Sequence, residues 1–183
     1  MRIFIASQIS DDYIEKISKI INLLDRNFSL SLKFVSLKNI HITYFFLGDI
    51  LDEKDIPLLK SIIDKFKDTK KIEFASKTID FFPSKKKPRV IWLDCDDTAS
   101  EKLTYIHDVI KEGLISNRIY IEDNFKPHIT IARVKRMLFD NEIKKIEDIK
   151  IDFNGIIKNI VIFNSILTPK GPIYEKIHEI DFV

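Results

Sequence analysis

Cysteine and glycine are both scarce in this sequence of 183 residues, which contains one cysteine, Cys95, and four glycines. A single cysteine excludes an internal disulfide and leaves a cysteine-based structural zinc site without its ligands. Neither Gly-x-Gly-x-x-Gly nor Gly-x-x-x-x-Gly-Lys followed by Ser or Thr occurs, so the common glycine loops of nucleotide-cofactor enzymes are missing. The composition therefore disfavours disulfide-rich secreted domains and nucleotide-cofactor enzymes, and it fits a reducing cytoplasm.

An excess of charge of one sign is also missing, because 30 basic and 28 acidic residues leave a formal net charge of +2. Bulk charge therefore does not mark a protein that coats nucleic acid, and any anion site must be local. No apolar run approaches the roughly 18 residues that a membrane-spanning helix needs, and the opening apolar stretch is too short for a signal peptide. We expect a cytoplasmic protein that does not bind a membrane, with enough hydrophobic residues, 45%, to build a core.

Strand-like and helix-like segments alternate along the chain. The strand-like segments are 2–8, 39–47, 71–80, 89–95, 127–134, 156–164 and 173–182. Amphipathic helices are predicted to begin near Ser10, Asp55, the capping box Thr98-x-x-Glu101, and Asp140. The loop at 81–88, Phe-Phe-Pro-Ser-Lys-Lys-Lys-Pro, joins two strands too closely for a parallel crossover. The pattern predicts an α+β fold with antiparallel or mixed sheets, in one domain covering residues 1–183.

The most informative feature is a repeated motif in which a threonine follows a histidine by two residues. It occurs as His41-Ile42-Thr43 and as His128-Ile129-Thr130, once in each half of the chain. Because side chains alternate between the two faces of a strand, each motif points its histidine and threonine to one face and its isoleucine to the other. If the two strands lie side by side, they line one groove with two imidazoles and two hydroxyls.

Chance explains the repeat poorly. With seven threonines in the chain, a histidine has roughly a 4% chance of a threonine two places on, so two matches among four histidines are about a one-percent event. A single His-x-Thr would indicate an ordinary strand histidine, whereas the centrally repeated pair favours a catalytic site.

Two histidines can supply both proton transfers in the cleavage of a cyclic phosphodiester. A base activates water on one side of phosphorus, and an acid protonates the leaving ribose oxygen on the other side. Imidazole can serve in either role near neutral pH. Thr43 and Thr130 can donate hydrogen bonds to phosphate oxygens, and Arg133 can add a bidentate contact. Since Arg133 has the opposite strand parity to His128, a bulge, a twist or the strand end must aim it inward.

The motifs and their surroundings resemble the two-histidine phosphoesterases, and among them the RNA 2′,3′-cyclic phosphodiesterases formerly called 2′-5′ RNA ligases. The resemblance covers nearly the whole chain. It includes residues 1–6, the first motif at 41–48, Phe82-Pro83, residues 88–92, the second motif at 127–133, and a tail with residues 165–167, Gly171 and Tyr174. The chain departs from the family pattern at 33–36, where a common tryptophan is missing, and at Tyr44, where leucine is common.

The resemblance implies a bilobal α+β fold in which two pseudo-symmetric antiparallel or mixed sheets form a central cleft, with helices on the outside. It also implies hydrolysis of a 2′,3′-cyclic phosphate to a 2′-phosphate without a metal or another cofactor. His41 would be the acid that protonates O3′ and His128 the base that activates water, while Thr43, Thr130 and Arg133 would bind the phosphate. The expected partner is RNA with a 2′,3′-cyclic phosphate end or a small cyclic nucleotide, bound by a monomer.

Further RNA contacts are predicted on weaker grounds. The basic residues Lys85, Lys86, Lys87 and Arg89 could neutralise backbone phosphates, although lysine runs are more often plain solvated surface. The aromatic residues Phe4, Phe45 and Phe125 could stack on a base, although core packing is the better interpretation for at least two of them. His107 and His178 lack a threonine partner and are interpreted as surface or packing residues.

Two competing hypotheses remain. The first is a non-catalytic module that binds nucleotides or RNA ends in the same groove, and turnover of a 2′,3′-cyclic mononucleotide separates it from an enzyme. The second is a metal-dependent phosphohydrolase built on Asp94, Asp96 and Asp97, although acidic residues between a strand and a helix usually cap the helix or face water. Loss of activity on chelation would favour this second hypothesis.

Overall fold

The computed structural model of the protein describes residues 1–48, 52–121 and 123–183. Within these ranges the chain forms four α-helices: α1 (Asp11–Phe28), α2 (Ile56–Ile63), α3 (Asp97–Ser116) and α4 (Asp140–Glu147). The same ranges contain ten strands: β1 (Ile3–Ser7), β2 (Leu32–Phe34), β3 (Ile42–Gly48), β4 (Ile72–Ser76), β5 (Ile79–Phe82), β6 (Val90–Leu93), β7 (Ile129–Val134), β8 (Phe153–Ile157), β9 (Asn159–Thr168) and β10 (Gly171–Asp181). None of the helices in these ranges combines the length and the apolar composition that a bilayer crossing requires.

The strands form two four-stranded sheets and a two-stranded ribbon. The first sheet has the order β10-β9-β1-β3, and the second sheet has the order β2-β7-β6-β5. The ribbon pairs β4 with β8. Every strand pair among the described residues is antiparallel, so the antiparallel form of the predicted α+β fold is the one observed.

Alternate residues of the first sheet face two different environments. On β1, Ile3 and Ile5 join the main hydrophobic core, whereas Phe4 and Ala6 join a separate small cluster that Tyr174 contacts. This alternation is the period-two pattern of a sheet with one face on the core. The face that carries Phe4 and Ala6 is called the cleft face of the first sheet below.

Amphipathic helices cover the core faces of the sheets. α1 packs against β2 and β8, and its buried residues recur every three or four positions: Tyr13, Ile17, Ile20, Leu24 and Phe28. α2 packs against β9 and α3, α3 packs against β4, and α4 packs against β5. The bilobal α+β arrangement with helices on the outside, expected from the sequence, is confirmed.

Segment 71–80 differs from its prediction as one continuous strand. β4 ends at Ser76, and the backbone N–H groups of Lys77 and Thr78 both donate to the carboxylate of Asp94, at 2.7 Å and 2.8 Å. These bonds take the chain out of the ribbon and into β5 of the second sheet. The predicted hairpin joined by loop 81–88 is present as β5 and β6.

Other boundaries also depend on contacts that periodicity does not register. The carboxylate of Asp96 accepts the N–H of Ala99 at the start of α3, so Asp96 replaces the predicted Thr98-x-x-Glu101 box as the cap. β2, with three residues, is too short to give a periodic signal. Segment 156–164, predicted as one strand, is divided between β8 and β9.

Candidate active site

His41 and His128 occupy corresponding places in two different sheets. His41 immediately precedes β3, at the edge of the first sheet, and His128 immediately precedes β7, inside the second sheet. The motif strands are therefore not neighbours in one sheet, which corrects the side-by-side arrangement considered from the sequence. They meet across the cleft instead, since one cavity of about 480 Å³ is lined by Thr43 from the first sheet and by His128 from the second.

Each imidazole is held by a hydrogen bond to the backbone carbonyl group two residues earlier. Nδ1 of His41 lies 2.6 Å from the carbonyl oxygen of Asn39, and Nδ1 of His128 lies 2.7 Å from the carbonyl oxygen of Lys126. A carbonyl oxygen can only accept, so Nδ1 carries the hydrogen in both rings. Nε2 is left on each ring for proton exchange with a substrate.

Burial lowers the pKa of both imidazoles below the ordinary histidine value of 6.5. The pKa of His41 is lowered to about 4; burial is the largest cause, the bond to Asn39 opposes it, and the charge of His128 adds to it. The pKa of His128 is lowered first by burial and further by the charge of Lys126, against the bond to the Lys126 carbonyl. Both rings are therefore mostly neutral at pH 7, and each is able to accept a proton at Nε2.

A β-bulge follows the second motif. In the pairing of β6 with β7, Trp92 lies opposite Thr130 and Ile91 lies opposite Ala132, so Ile131 is an extra residue without a partner. A bulge of this kind shifts the alternation of side chains by one residue. The residue three places after Thr130 therefore points to the same face as Thr130.

That residue is Arg133, which consequently points into the cleft. Its ladder partner is Val90, which shares a strand face with Trp92, and the Trp92 and His128 ring centroids are 5.8 Å apart. Burial raises the pKa of Tyr174, and the positive charge of Arg133 opposes this rise. The guanidinium therefore lies near the Tyr174 ring, whose centroid is 5.4 Å from that of His41. The bulge is therefore the feature that aims Arg133 inward, although regular alternation from His128 would point it to the other face.

A matching bulge follows the first motif. Thr43 lies opposite Ala6 and Phe45 lies opposite Ile5, which leaves Tyr44 as the extra residue. Phe46 thereby shares the cleft face with Thr43, as Arg133 does with Thr130. Its side chain is 60% exposed and lines the same cavity as Thr43, so it is the aromatic group of β3 that a ligand can reach.

The structure corrects the stacking role considered for Phe4 and Phe45. Their side chains are only 1% and 4% exposed, which leaves no ring face for a base. The Phe4 ring packs against His41, with centroids 5.2 Å apart. Phe125 is half-buried and stacks on His107 at 4.4 Å and on Tyr44 at 5.7 Å. Core packing, the better interpretation for at least two of these rings, is confirmed.

His107 is a packing residue, in agreement with its interpretation from the sequence. Its ring lies between those of Phe45 and Phe125, each with a centroid distance of 4.4 Å, and it is 3% exposed. The stack joins α3 and β3 to the segment that precedes His128. The other histidine without a threonine partner, His178, lies 2.7 Å from the carboxylate of Asp64 on the surface.

The basic loop lies apart from the two cavities at the motifs. Lys85 forms an ion pair with Glu147 at the end of α4, and Lys86, Lys87 and Arg89 are exposed. None of these four residues lines the cavity of about 480 Å³ or the second cavity, of about 220 Å³, that borders His41. The contact of these four residues with RNA remains a prediction, and it concerns an RNA long enough to reach this loop from the cavities.

The aspartates considered as metal ligands are engaged with the backbone. Asp94 accepts two N–H groups from residues 77 and 78, and Asp96 accepts the N–H groups of Ala75 and Ala99. Asp97 is exposed in the first turn of α3. Among the described residues no group of three or more histidine, cysteine or acidic side chains is arranged to hold a metal ion.

Three further residues of the cleft, Phe46, Tyr120 and Lys126, were not predicted from the sequence. Lys126, two places before His128, places its ammonium over Trp92, with Nζ 4.4 Å from the ring centroid. Tyr120 is 81% exposed and lines the larger cavity, as Phe46 does. The only available signal for Lys126 is its fixed spacing from the histidine, and for Phe46 and Tyr120 the sequence offers no signal that separates them from core aromatics.

A family model described as "LigT like Phosphoesterase" matches the chain twice, over residues 8–92 and over residues 93–174. Each match contains one His-x-Thr motif and one of the two bulges. The protein therefore belongs to the LigT-like phosphoesterase family. The double match agrees with the repeated geometry of the two histidines.

Curated relatives of the chain share one name. A protein of Thermotoga maritima is 34% identical over 186 residues, covering 100% of this chain and 96% of its own length, and is named RNA 2′,3′-cyclic phosphodiesterase. A protein of Methanocaldococcus jannaschii with the same name is 36% identical over 185 residues, covering 98% of this chain and 99% of its own length.

Solved structures share the fold. The crystal structure of TT0787 of Thermus thermophilus superposes with a TM-score of 0.85 at 19% identity, covering 100% of this chain and 98% of the other. The structure of Escherichia coli LigT in its apo form gives a TM-score of 0.73 at 16% identity, covering 99% and 96%. Within the sheets and helices described above, the chain therefore has the architecture of these proteins.

Proposed function

We propose that the protein is an RNA 2′,3′-cyclic phosphodiesterase that hydrolyses the cyclic phosphate to a 2′-phosphate. The observation that carries the proposal is the matched presentation of two imidazoles, each fixed through Nδ1 to a backbone carbonyl two residues earlier. Two relatives of more than 30% identity that span nearly the whole chain and carry this name support it.

In the proposed reaction each histidine moves one proton. Nε2 of His128 takes a proton from water, whose oxygen attacks phosphorus, and the P–O3′ bond breaks on the opposite side. Nε2–H of His41 donates a proton to O3′, so the ribose leaves with a 3′-hydroxyl and a 2′-phosphate. At the end His128 is protonated and His41 is neutral, and proton exchange with water restores the starting state.

Thr43, Thr130 and Arg133 are assigned to the non-bridging phosphate oxygens. The bulge in β7 supports this assignment, because it brings Arg133, three places after Thr130, to the same face as that threonine. A guanidinium can bind two oxygens of one phosphate at once. Its fixed positive charge stabilises the charge that develops on phosphorus-bound oxygens during attack.

The terminal base is assigned to the larger cavity, between Phe46 and Tyr120. Both rings are largely exposed and both line this cavity together with Thr43 and His128. Stacking of a base on an aromatic side chain tolerates any base, since every base has a π-face. The proposed substrate is therefore an RNA end or a small cyclic nucleotide without a strict base requirement.

Ligation belongs to the same proposal. If the 5′-hydroxyl of a second RNA takes the place of water, His128 takes the proton of that hydroxyl, His41 protonates O3′ as the P–O3′ bond breaks, and a 2′-5′ linkage forms. We also propose that the protein works as a monomer in the cytoplasm. Sedimentation or size-exclusion measurements with the full chain can test the oligomeric state. The alternative, a module that binds RNA ends without turnover, is separated from the enzyme by the assay below.

The test is hydrolysis of 2′,3′-cyclic CMP by the wild-type protein and by the His41→Ala and His128→Ala variants. We expect each variant to lose about 10²–10⁴ in rate, a 2′-phosphate as the product of the wild-type protein, and no effect of EDTA. The matched control is His178→Ala, which removes a surface histidine and should leave turnover unchanged. Full activity of either single variant would refute the proposal, as would loss of activity on chelation.

A further inference from the structure

Lys126 occupies a special position in the second motif. Its carbonyl oxygen accepts the hydrogen bond from Nδ1 of His128 at 2.7 Å. Its side chain turns to the aromatic pair on β5 and β6, where Nζ lies 4.4 Å from the ring centroid of Trp92 and 5.7 Å from that of Phe82. An ammonium at this distance from an aromatic face makes a cation–π interaction, which holds the backbone of residue 126 in place.

The aromatic pair supports the imidazole as well as the ammonium. The rings of Phe82 and Trp92 are stacked, with centroids 4.7 Å apart and planes 12° apart. Each ring contacts His128 edge-on, at centroid distances of 5.0 Å and 5.8 Å. Trp92 is 3% exposed and is fixed within β6, so His128 and Lys126 rest on the same rigid support.

The first motif is held in a similar way, by a different residue. Asn39 stands two residues before His41, and its carbonyl oxygen accepts the bond from Nδ1 of that histidine. The side-chain amide of Asn39 donates to the carbonyl oxygen of Pro172 at 2.9 Å. In both halves, therefore, the residue that orients the imidazole is anchored by its own side chain. The two motifs differ because Lys126 carries a charge and Asn39 does not.

We propose that Lys126 is a positioning residue of the reaction, which fixes His128 through its carbonyl oxygen and places a positive charge beside that imidazole on the phosphate side of the cleft. The proposal rests on the proposed phosphodiesterase reaction. It assigns a role to Phe82 and Trp92, which the sequence singles out but the reaction does not use directly. Lys126 also lines the larger cavity with Thr43 and His128, so its charge lies where an anionic substrate enters.

The charge of Lys126 lowers the pKa of His128 and so favours the neutral ring that a general base requires. The other ionisable groups around His128 are His41 across the cleft, Arg133 on the cleft face of β7, and His107 in the same cavity. The rings of Phe82 on β5 and Trp92 on β6 contact His128, and Asp80 of β5 pairs with Trp92 on the same face of the sheet. The lysine is therefore the cation on the chain segment of His128 itself.

The experiment compares Lys126→Met, Lys126→Arg and the wild-type full chain. The methionine keeps the length of the side chain without its charge, and the arginine keeps the charge and the aromatic contact. Two quantities are measured: kcat and KM for 2′,3′-cyclic CMP from pH 5 to 9, and the titration of the His128 ring by NMR without substrate. Lys19→Met is the matched control, because Lys19 is exposed on α1.

We expect Lys126→Met to raise the pKa of His128 by about 1 unit, to move the pH above which kcat/KM falls upward by the same amount, and to raise KM several-fold. Lys126→Arg should restore both quantities to nearly the wild-type values, and Lys19→Met should change neither. The proposal is overturned if Lys126→Met titrates and turns over as the wild type does. A loss of rate that is equal at every pH and is not restored by arginine also overturns it, because that result marks a structural role alone. If the wild-type protein does not hydrolyse the substrate, the proposed function fails, while the NMR titration still decides the effect of Lys126.

Discussion

At the scale of single residues, the two histidines combine a fixed orientation with a low pKa. The carbonyl oxygens of Asn39 and Lys126 determine which nitrogen carries the hydrogen, and burial determines that both rings are neutral at pH 7. A neutral ring is ready to act as a base, but the reaction also needs one protonated ring as the acid. The supply of that proton therefore controls the rate of the free enzyme at neutral and alkaline pH.

This leads to a prediction for the pH dependence of kcat/KM. The profile of kcat/KM reports groups on the free enzyme, and both histidines have a pKa below 6.5. Above that pH the fraction of molecules with one protonated histidine falls tenfold per pH unit. We expect log kcat/KM for 2′,3′-cyclic CMP to fall with a slope of about −1 above about pH 6.5. A flat profile up to pH 8 would contradict the lowered pKa values.

At the scale of secondary-structure elements, the bulges in β3 and β7 decide which side chains enter the cleft. Without the extra residue Ile131, regular alternation along β7 would turn Arg133 away from Thr130. The same holds for Phe46 and Thr43 on β3, where Tyr44 is the extra residue. The hydroxyl of Tyr44 lies 2.9 Å from that of Ser7, which gives this bulged residue a buried polar partner.

Arg133 should therefore act on the substrate and not on the fold. We expect Arg133→Gln to lower kcat/KM for 2′,3′-cyclic CMP by about 10²-fold, the size of effect found when one hydrogen-bond donor to a developing oxyanion is removed. Arg133→Lys should recover part of this loss, because it keeps the charge without the bidentate geometry. Steady-state kinetics measure the effect, and an unchanged melting temperature is the control. If Arg133→Gln retains full kcat/KM, the side chain does not reach the phosphate.

The ribbon of β4 and β8 is positioned by close packing at a glycine. A Cβ atom added to Gly155 would lie 2.6 Å from Cδ2 of Tyr13 and 2.7 Å from Cε1 of Phe74, both in buried rings. We expect Gly155→Ala to lower the free energy of unfolding by about 1–3 kcal/mol, because these rings must move. Urea unfolding measures this change, with Asn154→Ala as an exposed neighbour that should stay within about 0.5 kcal/mol. Equal stability of the two variants would mean that α1 can shift away from β8 without cost.

At the scale of the whole molecule, the site is assembled from two sheets that are far apart in sequence. The first sheet supplies His41, Thr43 and Phe46, and the second supplies His128, Thr130 and Arg133. The aromatic stack of Phe45, His107 and Phe125 packs between β3 and the segment before His128. In the proposed site a bound phosphate contacts both sheets, and we expect it to stabilise their arrangement.

Thermal unfolding with a product analogue tests this arrangement. We expect cytidine 2′-monophosphate at 100 times its Kd to stabilise the protein by about 2.7 kcal/mol, as for any ligand that binds only the folded state. Cytidine without phosphate, at the same concentration, should give a much smaller rise in Tm, and Arg133→Gln should weaken the effect of the phosphate. Equal shifts with cytidine and its 2′-phosphate would show that the phosphate does not join the two sheets.

The amino-acid sequence by itself determined the class of the fold, and it predicts the chemistry of the site. The repeated His-x-Thr motif identifies the two histidines and two threonines, because chemical identity and spacing are local properties. Amphipathic periodicity likewise indicates α1 and α3, since the faces of a helix follow from residue order. The short loop at 81–88 indicates the antiparallel pairing of β5 with β6, because a parallel crossover needs a longer connection.

Only the tertiary structure decided which neighbouring residues share the cleft with the histidines. The direction of Arg133 depends on a bulge that is defined by pairing with β6, and no property of β7 alone fixes that register. Burial of Phe4 and Phe45, exposure of Phe46 and the lowered pKa of His41 depend on how much water each group loses when distant segments pack together. These quantities belong to the assembled molecule, because each is set by contacts between residues that are remote along the chain.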